Sequence, residues 1–239
     1  AGNVHLGILI LSAGAVVSGV VRNGASQPVS GVDIDVRVAG TQTDIFVCGD
    51  NTNAAGQYSV VVPTGSVDVA FSPPYSQPYG SALQAGVFVG GGGATANAVL
   101  PDCPFHIAYG AGLPGTGGLT PALGTSGGTP RLGNPDYALE LAGARGGAVA
   151  AFVMGFAPAA LPFKQGLLLV DIGLPYVLIT FALPGAPGVA GAGSVSIPLP
   201  VPSDPAWNGF SLYFQILTQD PQGPAGWAMT NGVQVAYCD

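Results

Sequence analysis

Short apolar runs, each ended by glycine or proline, limit most strongly what this chain can fold into. The sequence of 239 residues contains 39 Gly and 22 Pro, which divide the apolar residues into segments of strand length. Residues 148–156, 166–171 and 176–183 are nearly continuous apolar runs, which is typical of strands buried on both faces. Glu140 and Lys164 are the single Glu and the single Lys of the sequence, so the chain lacks the residues that usually form charged surface helices. We therefore predict an all-β protein.

Alternating segments support this prediction in both halves of the chain. In residues 32–38, Ile34 and Val36 alternate with Asp33 and Asp35, which indicates a strand with one solvent-facing side. Val195 and Ile197 alternate with serine and proline, and proline places such a strand at a sheet edge. The second half holds about eight segments of this kind, which predicts a β-sandwich of jelly-roll-like type.

The first half also resembles a known family. Residues 17–32 (VSGVVRNGASQPVSGV) are similar to the opening strand and the "PVxGV" turn of carboxypeptidase-regulatory-like (prealbumin-like) β-sandwich domains. Residues 49–52 (GDNT) and 55–63 (AGQYSVVVP) are similar to the later "T-D-x-x-G-x-[FY]" segment and "VPxG" turn of that family. The resemblance covers residues 13–101 and implies a two-sheet sandwich, in a family of mostly non-catalytic accessory modules. Residues 199–215 and 227–232 resemble a C-terminal β-domain of large secreted bacterial proteins, within a predicted second domain at 102–239.

Residues 1–12 form a predicted extended arm that precedes both domains. In tandem arrays of the family, the last strand of one module reads similarly just before the next module begins, so the arm resembles a terminal strand whose sandwich lies elsewhere. That sandwich belongs either to another molecule or to a removed preceding segment, and Ala1 is either a native mature terminus or a cleavage boundary. We expect Leu6, Ile8 and Ile10, which share one face, to be buried by the partner.

The three cysteines allow one predicted disulfide. Cys103 opens the second domain and Cys238 lies one residue from the end of the chain, so a bond between them would tie together both ends of that domain. The alternative is that all three cysteines are free, buried thiols. Cys48 is left over in the first case, either free or paired outside the chain.

Charge composition excludes several functions. Charged residues make up 7% of the chain, the net charge is −7, and the five basic residues are scattered. Without a basic stripe to neutralise phosphates, nucleic acid is not an expected partner. Apolar runs stay below the roughly 18 to 20 residues that a membrane-spanning helix needs. A surface with so little charge is typical of proteins that pack against other surfaces, and we expect a secreted, cell-surface protein.

Motifs for catalysis and cofactor binding fit poorly. Residues 124–128 match G-x-S-x-G, but they lie in a segment, residues 110–130, that we predict to be a loop. A nucleophile elbow needs a preceding strand and a following helix, and we predict neither here. It also needs a later histidine, whereas His5 and His106 both come before Ser126. Residues 110–115 match G-x-G-x-x-G without a helix to follow. We therefore predict neither catalytic residues nor an organic cofactor.

Metal and sugar sites are also weakly indicated. Cys103, His106 and Cys238 lack the second ligand cluster of a structural zinc site. Five residues offer oxygens for Ca²⁺: Asp50, Asn51 and Asn53 in a polar loop, and Asp33 and Asp35 on a strand. EF-hand spacing is missing, however, and Asx-rich turns need no metal. We predict no metal. The tryptophans and several tyrosines either stack on sugars or pack within the fold (Trp207, Trp227, Tyr75, Tyr79 and Tyr213).

These observations together predict a secreted, non-enzymatic structural protein. It would self-assemble through β-strand complementation by the N-terminal arm, as a homo-oligomer or filament and as a subunit of an extracellular surface fibre. The alternative is that the chain forms the accessory, glycan- or surface-binding modules of a longer secreted enzyme.

Overall fold

A computed structural model describes residues 14–173 and 175–239, and they fold into two compact units. The first unit comprises the described residues up to Pro74 together with Gly80–Asp102, and the second comprises Tyr75–Tyr79 and Cys103–Asp239. The described residues contain strands and three short 3₁₀ turns, at Thr116–Gly118, Pro205–Trp207 and Pro224–Gly226. The predicted all-β fold with successive β-sandwich domains is confirmed, whereas the predicted domain limits stay a prediction.

The first unit consists of two sheets. In one sheet, β1 lies between β4, which is antiparallel to it, and the short parallel strands β7 and β8. The other sheet is antiparallel, in the order β3, β2, β5, β6. The strands are β1 (Gly14–Asn23), β2 (Asp33–Val38), β3 (Asp44–Ile45), β4 (Gln57–Pro63), β5 (Gly65–Ser72), β6 (Ala82–Val89), β7 (Ala94–Thr95) and β8 (Ala98–Leu100).

Alternation along these strands builds the core of the first unit. Ile34 and Val36 are buried, as their spacing predicts, and Phe71 from β5 is buried with them. The ring of Tyr58 packs edge-on against Phe71 at 5.8 Å, and its hydroxyl donates a hydrogen bond to the carbonyl of Ala96 at 2.7 Å. This contact requires glycine at position 19, because a Cβ there would lie 1.8 Å from the Ala96 carbonyl oxygen.

The second unit is also built on two antiparallel sheets. One has three strands in the order β10, β11, β16, and the other has six, with β15, β12, β17, β19 and β9 in order and β18 beside β17. A separate hairpin is formed by β13 and β14. The strands are β9 (Ile107–Tyr109), β10 (Ala122–Ser126), β11 (Ala138–Gly143), β12 (Val149–Gly155), β13 (Pro158–Phe163), β14 (Gly166–Val170), β15 (Tyr176–Ala182), β16 (Gly191–Pro198), β17 (Ser211–Gln219), β18 (Trp227–Met229) and β19 (Gly232–Ala236).

Both faces of the six-stranded sheet carry apolar clusters. Phe152, Phe214 and Leu139 belong to the main core between the two sheets. On the opposite face, Val153 and Leu217 form a smaller cluster with residues of the β13–β14 hairpin. The strands of this sheet are therefore apolar on both sides, which explains the nearly continuous apolar runs of the sequence.

A buried glutamine fixes the hairpin on this second face. The side-chain oxygen of Gln215 accepts a hydrogen bond from the Leu169 N–H at 2.8 Å. Its amide nitrogen donates to the carbonyls of Leu167 and Thr230, each at 3.0 Å. These groups lie on β14, on β17 and on Thr230 in the connection between β18 and β19, so one polar side chain joins three segments of the second unit.

The predicted disulfide between Cys103 and Cys238 is confirmed. Their Cα atoms lie 5.9 Å apart, and the bond joins residues separated by 135 positions. Cys48 is free and exposed. The alternative of three free, buried thiols is therefore wrong.

Candidate functional site

The strand β15 is an unprotected sheet edge in the second unit. It pairs with β12 in a regular antiparallel register from Val149 opposite Ala182 to Gly155 opposite Tyr176. Among the described residues, no strand pairs with its other side, since β15 ends the six-stranded sheet. The backbone N–H and C=O groups on that side are consequently available to a further strand.

Most side chains of β15 are apolar and exposed. Tyr176, Val177, Leu178 and Ile179 are 48%, 39%, 55% and 52% exposed, and the strand contains neither a charged residue nor proline. Natural edge strands are normally protected by lysine, proline, a bulge or short length. β15 has seven residues in regular register and none of these protections. It therefore has the properties of a strand that pairs with another chain.

One face of β15 borders the core between the two sheets. Ile179 and Phe181 lie opposite Phe152 and Ala150 of β12, on the side of the main core. In the facing three-stranded sheet, β16 is the end strand, as the prolines of its sequence predicted. An apolar cavity of about 260 Å³ separates the two strands. This cavity, here called the inter-sheet groove, is lined by Phe152, Ile179, Phe181, Val195, Ser196, Ile197 and Pro198.

The opposite side of the same sandwich is closed by hydrogen bonds. The Asn231 side chain accepts from the Leu123 N–H and donates to the Leu123 carbonyl, both at 3.0 Å, and so joins β10 to the start of β19. Nδ1 of His106 lies 2.8 Å from Oγ1 of Thr125, beside β9. Within the described residues, no comparable hydrogen bond joins β15 to β16. The sandwich is thus closed on one side and open on the other.

The second face of β15 borders another apolar cavity. Leu178 lies opposite Val153 of β12, on the face that the β13–β14 hairpin covers. The cavity has a volume of about 210 Å³, and its rim includes Trp227, which packs edge-on against Phe163 at 5.9 Å. This hairpin groove is lined by Ala151, Val153, Phe163, Leu168, Ile172, Tyr176, Leu178, Leu217 and Trp227. An open apolar groove therefore borders each face of the edge strand.

The predicted assembly residues of the arm, Leu6, Ile8 and Ile10, lie outside the described residues. Their burial by a partner stays a prediction. Sequence reasoning missed the open edge, because it assigned residues 176–183 to a buried strand. That assignment is wrong for β15, which is exposed along most of its length. No local signal separates a strand buried in its own sheet from one that awaits a neighbour, since both are continuous apolar runs.

The G-x-S-x-G serine is hydrogen-bonded to a carboxylate rather than to a histidine. Ser126 ends strand β10, so the prediction that no strand precedes it is wrong, but no helix follows. Its Oγ donates a 2.6 Å hydrogen bond to Glu140. His106 contacts the neighbouring Thr125, whose side chain points to the other face of the strand. Burial lowers the pKa of His106.

The G-x-G-x-x-G string leads into a 3₁₀ turn, as its proline-rich and glycine-rich surroundings suggest. In this turn the backbone N–H and hydroxyl of Thr116 donate to the carboxylate of Asp220, at 2.7 and 2.5 Å. Burial alone would raise the pKa of Asp220, but these hydrogen bonds outweigh it, so its pKa is lowered. Asp220 is therefore a charged anchor for this loop.

The other candidate ligands are dispersed in the described part of the chain. No group of three His, Cys, Asp or Glu residues there is placed to hold a metal ion. Burial raises the pKa of Asp33, and the nearby charges of Asp35 and Asp50 raise it further. Trp207 packs against Phe210 and Tyr237 rather than beside Trp227, so the tryptophans do not share one surface.

The first unit contains a polar groove of about 690 Å³ on the outer face of its β1 sheet. Its lining is uncharged and rich in amides and hydroxyls: Ser18, Asn51, Asn53, Gln57, Ser59, Thr95 and Asn97 line it with Gly19, Val20, Gly49 and Tyr58. The ring of Tyr58 is buried beneath the sheet, so the groove has no exposed aromatic surface on which a sugar ring could stack.

In residues 14–173 and 175–239, no helix has the length and apolar character needed to cross a membrane.

Neither a protein-family model nor a curated protein matches this chain. The resemblance to carboxypeptidase-regulatory-like domains therefore stays a prediction.

Solved structures with similar architecture include a DUF3823 family protein and bacterial major pilins. A DUF3823 family protein from Parabacteroides merdae is 11% identical, with 94% of this chain and 99% of that chain covered and a TM-score of 0.26. The major pilin SpaD of Corynebacterium diphtheriae is 10% identical, with 93% and 65% covered and a TM-score of 0.31. The major pilin BcpA of Bacillus cereus is 11% identical, with 94% and 69% covered and a TM-score of 0.29. At these values the likeness is confined to general β-sandwich architecture.

Proposed function

We propose that this chain is a secreted, non-enzymatic structural protein that assembles with copies of itself through β-strand complementation. The observation that carries the proposal is the open edge of the second unit, where β15 offers an unpaired backbone edge between two apolar grooves. A strand added at this edge would gain main-chain hydrogen bonds and bury side chains that now face solvent.

The energetics favour an apolar donor strand. Burying three leucine or isoleucine side chains contributes roughly 5–9 kcal/mol. Association costs about 4–15 kcal/mol in lost translational and rotational freedom. Each main-chain hydrogen bond adds a net of about 0.5–1.5 kcal/mol. A strand that supplies both kinds of contact can therefore offset the cost of association, whereas a polar strand would supply hydrogen bonds alone.

The N-terminal arm has the composition that this edge requires. Residues 4–11 contain no Asp, Glu, Lys or Arg and include six Val, Leu or Ile residues. If each copy gives its arm to the next, the contact is head-to-tail, and its repetition builds a filament. The Cys103–Cys238 disulfide supports an oxidising, extracellular location for such a fibre.

The arrangement of Ser126 supports a non-enzymatic role. Its hydroxyl is bonded to Glu140, which also accepts a 2.7 Å hydrogen bond from Ser196. A serine nucleophile needs a base that is itself oriented by a third group, and His106 lies on the other face of β10.

Removal of residues 1–12 tests the proposal. The full chain should form assemblies that light scattering and electron microscopy detect, and the shortened chain should remain monomeric at the same concentration. A full-length variant with Leu6, Ile8 and Ile10 replaced by serine is the matched control for chain length, and it should also remain monomeric. The proposal fails if the shortened chain assembles like the full chain, or if the full chain is a monomer.

A second candidate function, glycan binding, is favoured by the polar groove of the first unit. Neutral hydroxyl and amide groups such as those of Ser59, Gln57 and Thr95 suit the hydroxyls of an uncharged sugar. Ser59→Arg would fill this groove, whereas Val61→Arg, two residues along β4 and 63% exposed, would not. Binding of the parent to neutral oligosaccharides on an array, lost in the first variant alone and without self-assembly, would favour this function instead.

A further inference from the structure

The arm carries apolar residues on both faces over part of its length. Ile8, Leu9, Ile10 and Leu11 follow one another without a polar residue, whereas His5 and Gly7 interrupt the preceding segment. A strand that is buried on one face alternates between apolar and polar residues. The continuous run from Ile8 to Leu11 therefore indicates burial on both faces.

The edge of the second unit offers cover on both faces. A strand placed beside β15 continues the pleat of the sheet, so its alternate side chains point toward the inter-sheet groove and toward the hairpin groove. Neither groove is lined by a charged residue. The donor strand that fits this edge best is consequently one without charge and with apolar residues on both sides.

We propose that residues 8–11 of a second copy of this chain pair with the outer edge of β15 and are buried on both faces. Ile8 and Ile10 enter the inter-sheet groove, and Leu9 and Leu11 enter the hairpin groove. This inference rests on the proposed function and adds to it the acceptor strand and the orientation of the donor strand. It also extends burial to Leu9 and Leu11, beyond the single face of Leu6, Ile8 and Ile10.

The apolar side chains on the two faces of β15 determine which face of the arm enters which groove. The inter-sheet side of β15 presents three positions, Val177, Ile179 and Phe181, which match the longer apolar face of the arm. On the hairpin side the polar Thr180 follows Tyr176 and Leu178, so two consecutive positions carry large apolar side chains, which match the shorter apolar face of the arm. Residues 4–11 span about 26 Å as a strand and β15 spans about 23 Å, so the lengths agree.

A second copy is the occupant that best fits the connection of the arm to its own chain. Two residues, Ser12 and Ala13, separate Leu11 from β1, which lies in the first unit, whereas β15 lies in the second unit. So short a link restricts where the arm of the same chain can reach. The arm of a second copy is not restricted in this way.

Disulfide trapping between two full-length chains tests the proposal. All variants carry Cys48→Ser, which removes the free thiol. The donor chain carries Ile8→Cys or Leu9→Cys, and the acceptor chain carries one cysteine at a position of β15 from Tyr176 to Phe181. Side chains of adjacent strands on one face lie about 4.5–5.5 Å apart at Cβ, close enough for a disulfide. After mild oxidation, cross-linked dimers are counted on a non-reducing gel.

The expected result is that each donor cysteine cross-links to acceptors on one face of β15 only. This outcome is the same for any alignment of the arm along β15 that keeps Ile8 on the inter-sheet side. The Ile8→Cys donor should cross-link to acceptors on the inter-sheet face (Val177, Ile179 or Phe181), and the Leu9→Cys donor to acceptors on the hairpin face (Tyr176, Leu178 or Thr180). Leu9→Gln should raise the concentration needed for assembly at least about tenfold. The matched His5→Gln variant should leave it unchanged, because His5 lies outside the continuous apolar run.

Three results would overturn the inference, and they are distinguishable. If assembly persists while Leu9→Gln has no effect and Leu9→Cys finds no acceptor, the arm is buried on one face and the proposed function stands. If a chain with both Ile8→Cys and Ile179→Cys forms an internal disulfide alone, the occupant is the arm of the same chain. If the parent does not assemble, the proposed function fails as well.

Discussion

A single lysine in β15 should weaken assembly roughly a hundredfold without unfolding the protein. Ile179 is 52% exposed at the open edge, and its side chain lines the inter-sheet groove. In Ile179→Lys the ammonium group can reach solvent while the edge is open, because the aliphatic stem lies along the groove and the charge extends past it. The free energy of unfolding of the separate chain should therefore change by less than about 1 kcal/mol.

An added strand changes this balance for Ile179→Lys. The strand would bury the exposed half of the native isoleucine, and loss of that burial costs about 1 kcal/mol. It would also remove water from the ammonium group, which costs several kcal/mol where no partner charge is present, although bending of the lysine stem relieves part of this penalty. A total near 3 kcal/mol corresponds to a roughly hundredfold weaker association.

The assay compares the concentration at half-assembly, measured by light scattering, with the denaturation midpoint of the dilute chain. Val189→Lys is the matched control, since Val189 is 51% exposed in the same unit but lines neither groove. We expect Val189→Lys to assemble like the parent. Assembly of Ile179→Lys at the concentration of the parent, with both chains folded, would refute the role of β15.

Three further predictions concern the stability of the two units. Replacing Cys103 and Cys238 by serine should lower the free energy of unfolding by roughly 4–5 kcal/mol, the chain-entropy effect of a loop of this length, and an unchanged urea midpoint would contradict it. The lowered pKa of Asp220 stabilises the folded state above the unfolded pKa of about 3.9, and this contribution is lost as the pH falls through the folded pKa; the stability difference between the parent and Asp220→Asn should therefore shrink from pH 7 toward pH 3, and a constant difference would contradict it. Gly19→Ala should disrupt the β1 sheet, because its Cβ would lie 1.8 Å from a backbone oxygen, whereas Gly24→Ala, with open space around it, should leave circular dichroism and the thermal midpoint unchanged.

Features that depend on neighbouring residues were predictable from the sequence. The alternation around Ile34 and Val36 indicated a strand with one wet face, and the prolines near Ile197 indicated an edge strand. These signals are local because the period of a strand and the missing N–H of proline act within a few residues. The disulfide was predictable for a different reason, since Cys103 and Cys238 delimit one domain.

The strand β10 was missed because its sequence, ALGTS, lacks a run of apolar residues. Only Leu123 among these residues is a large apolar side chain, and it is buried. The remaining residues are held by pairing with β11, from Ala122 opposite Ala142 to Ser126 opposite Ala138. Pairing with a strong neighbour overrides weak local preference, and one sequence does not show which neighbour a strand will have.

The open edge depends on relations between distant segments and was not predictable in this way. Its inter-sheet groove brings together Phe152, Ile179 and Ile197, which come from three strands and two sheets. Whether Ile179 is covered depends on whether a further strand pairs with the outer edge of β15. The presence of a further strand is a property of the whole topology. The sequence pattern of residues 176–183 is therefore the same whether that strand is present or absent.

The arm and β15 are therefore two apolar segments that each need a partner strand. Each contains a run of apolar residues without the alternation that a solvent-facing side would produce, residues 8–11 in the arm and 176–179 in β15, and β15 has a free edge in the described structure. An exposed, uncharged edge of this kind is an aggregation site unless a specific strand covers it. A chain that carries a matching uncharged segment can satisfy the edge with that segment. The presence of an uncharged arm and an open edge in one sequence is explained if the arm of each copy covers the β15 edge of the next copy.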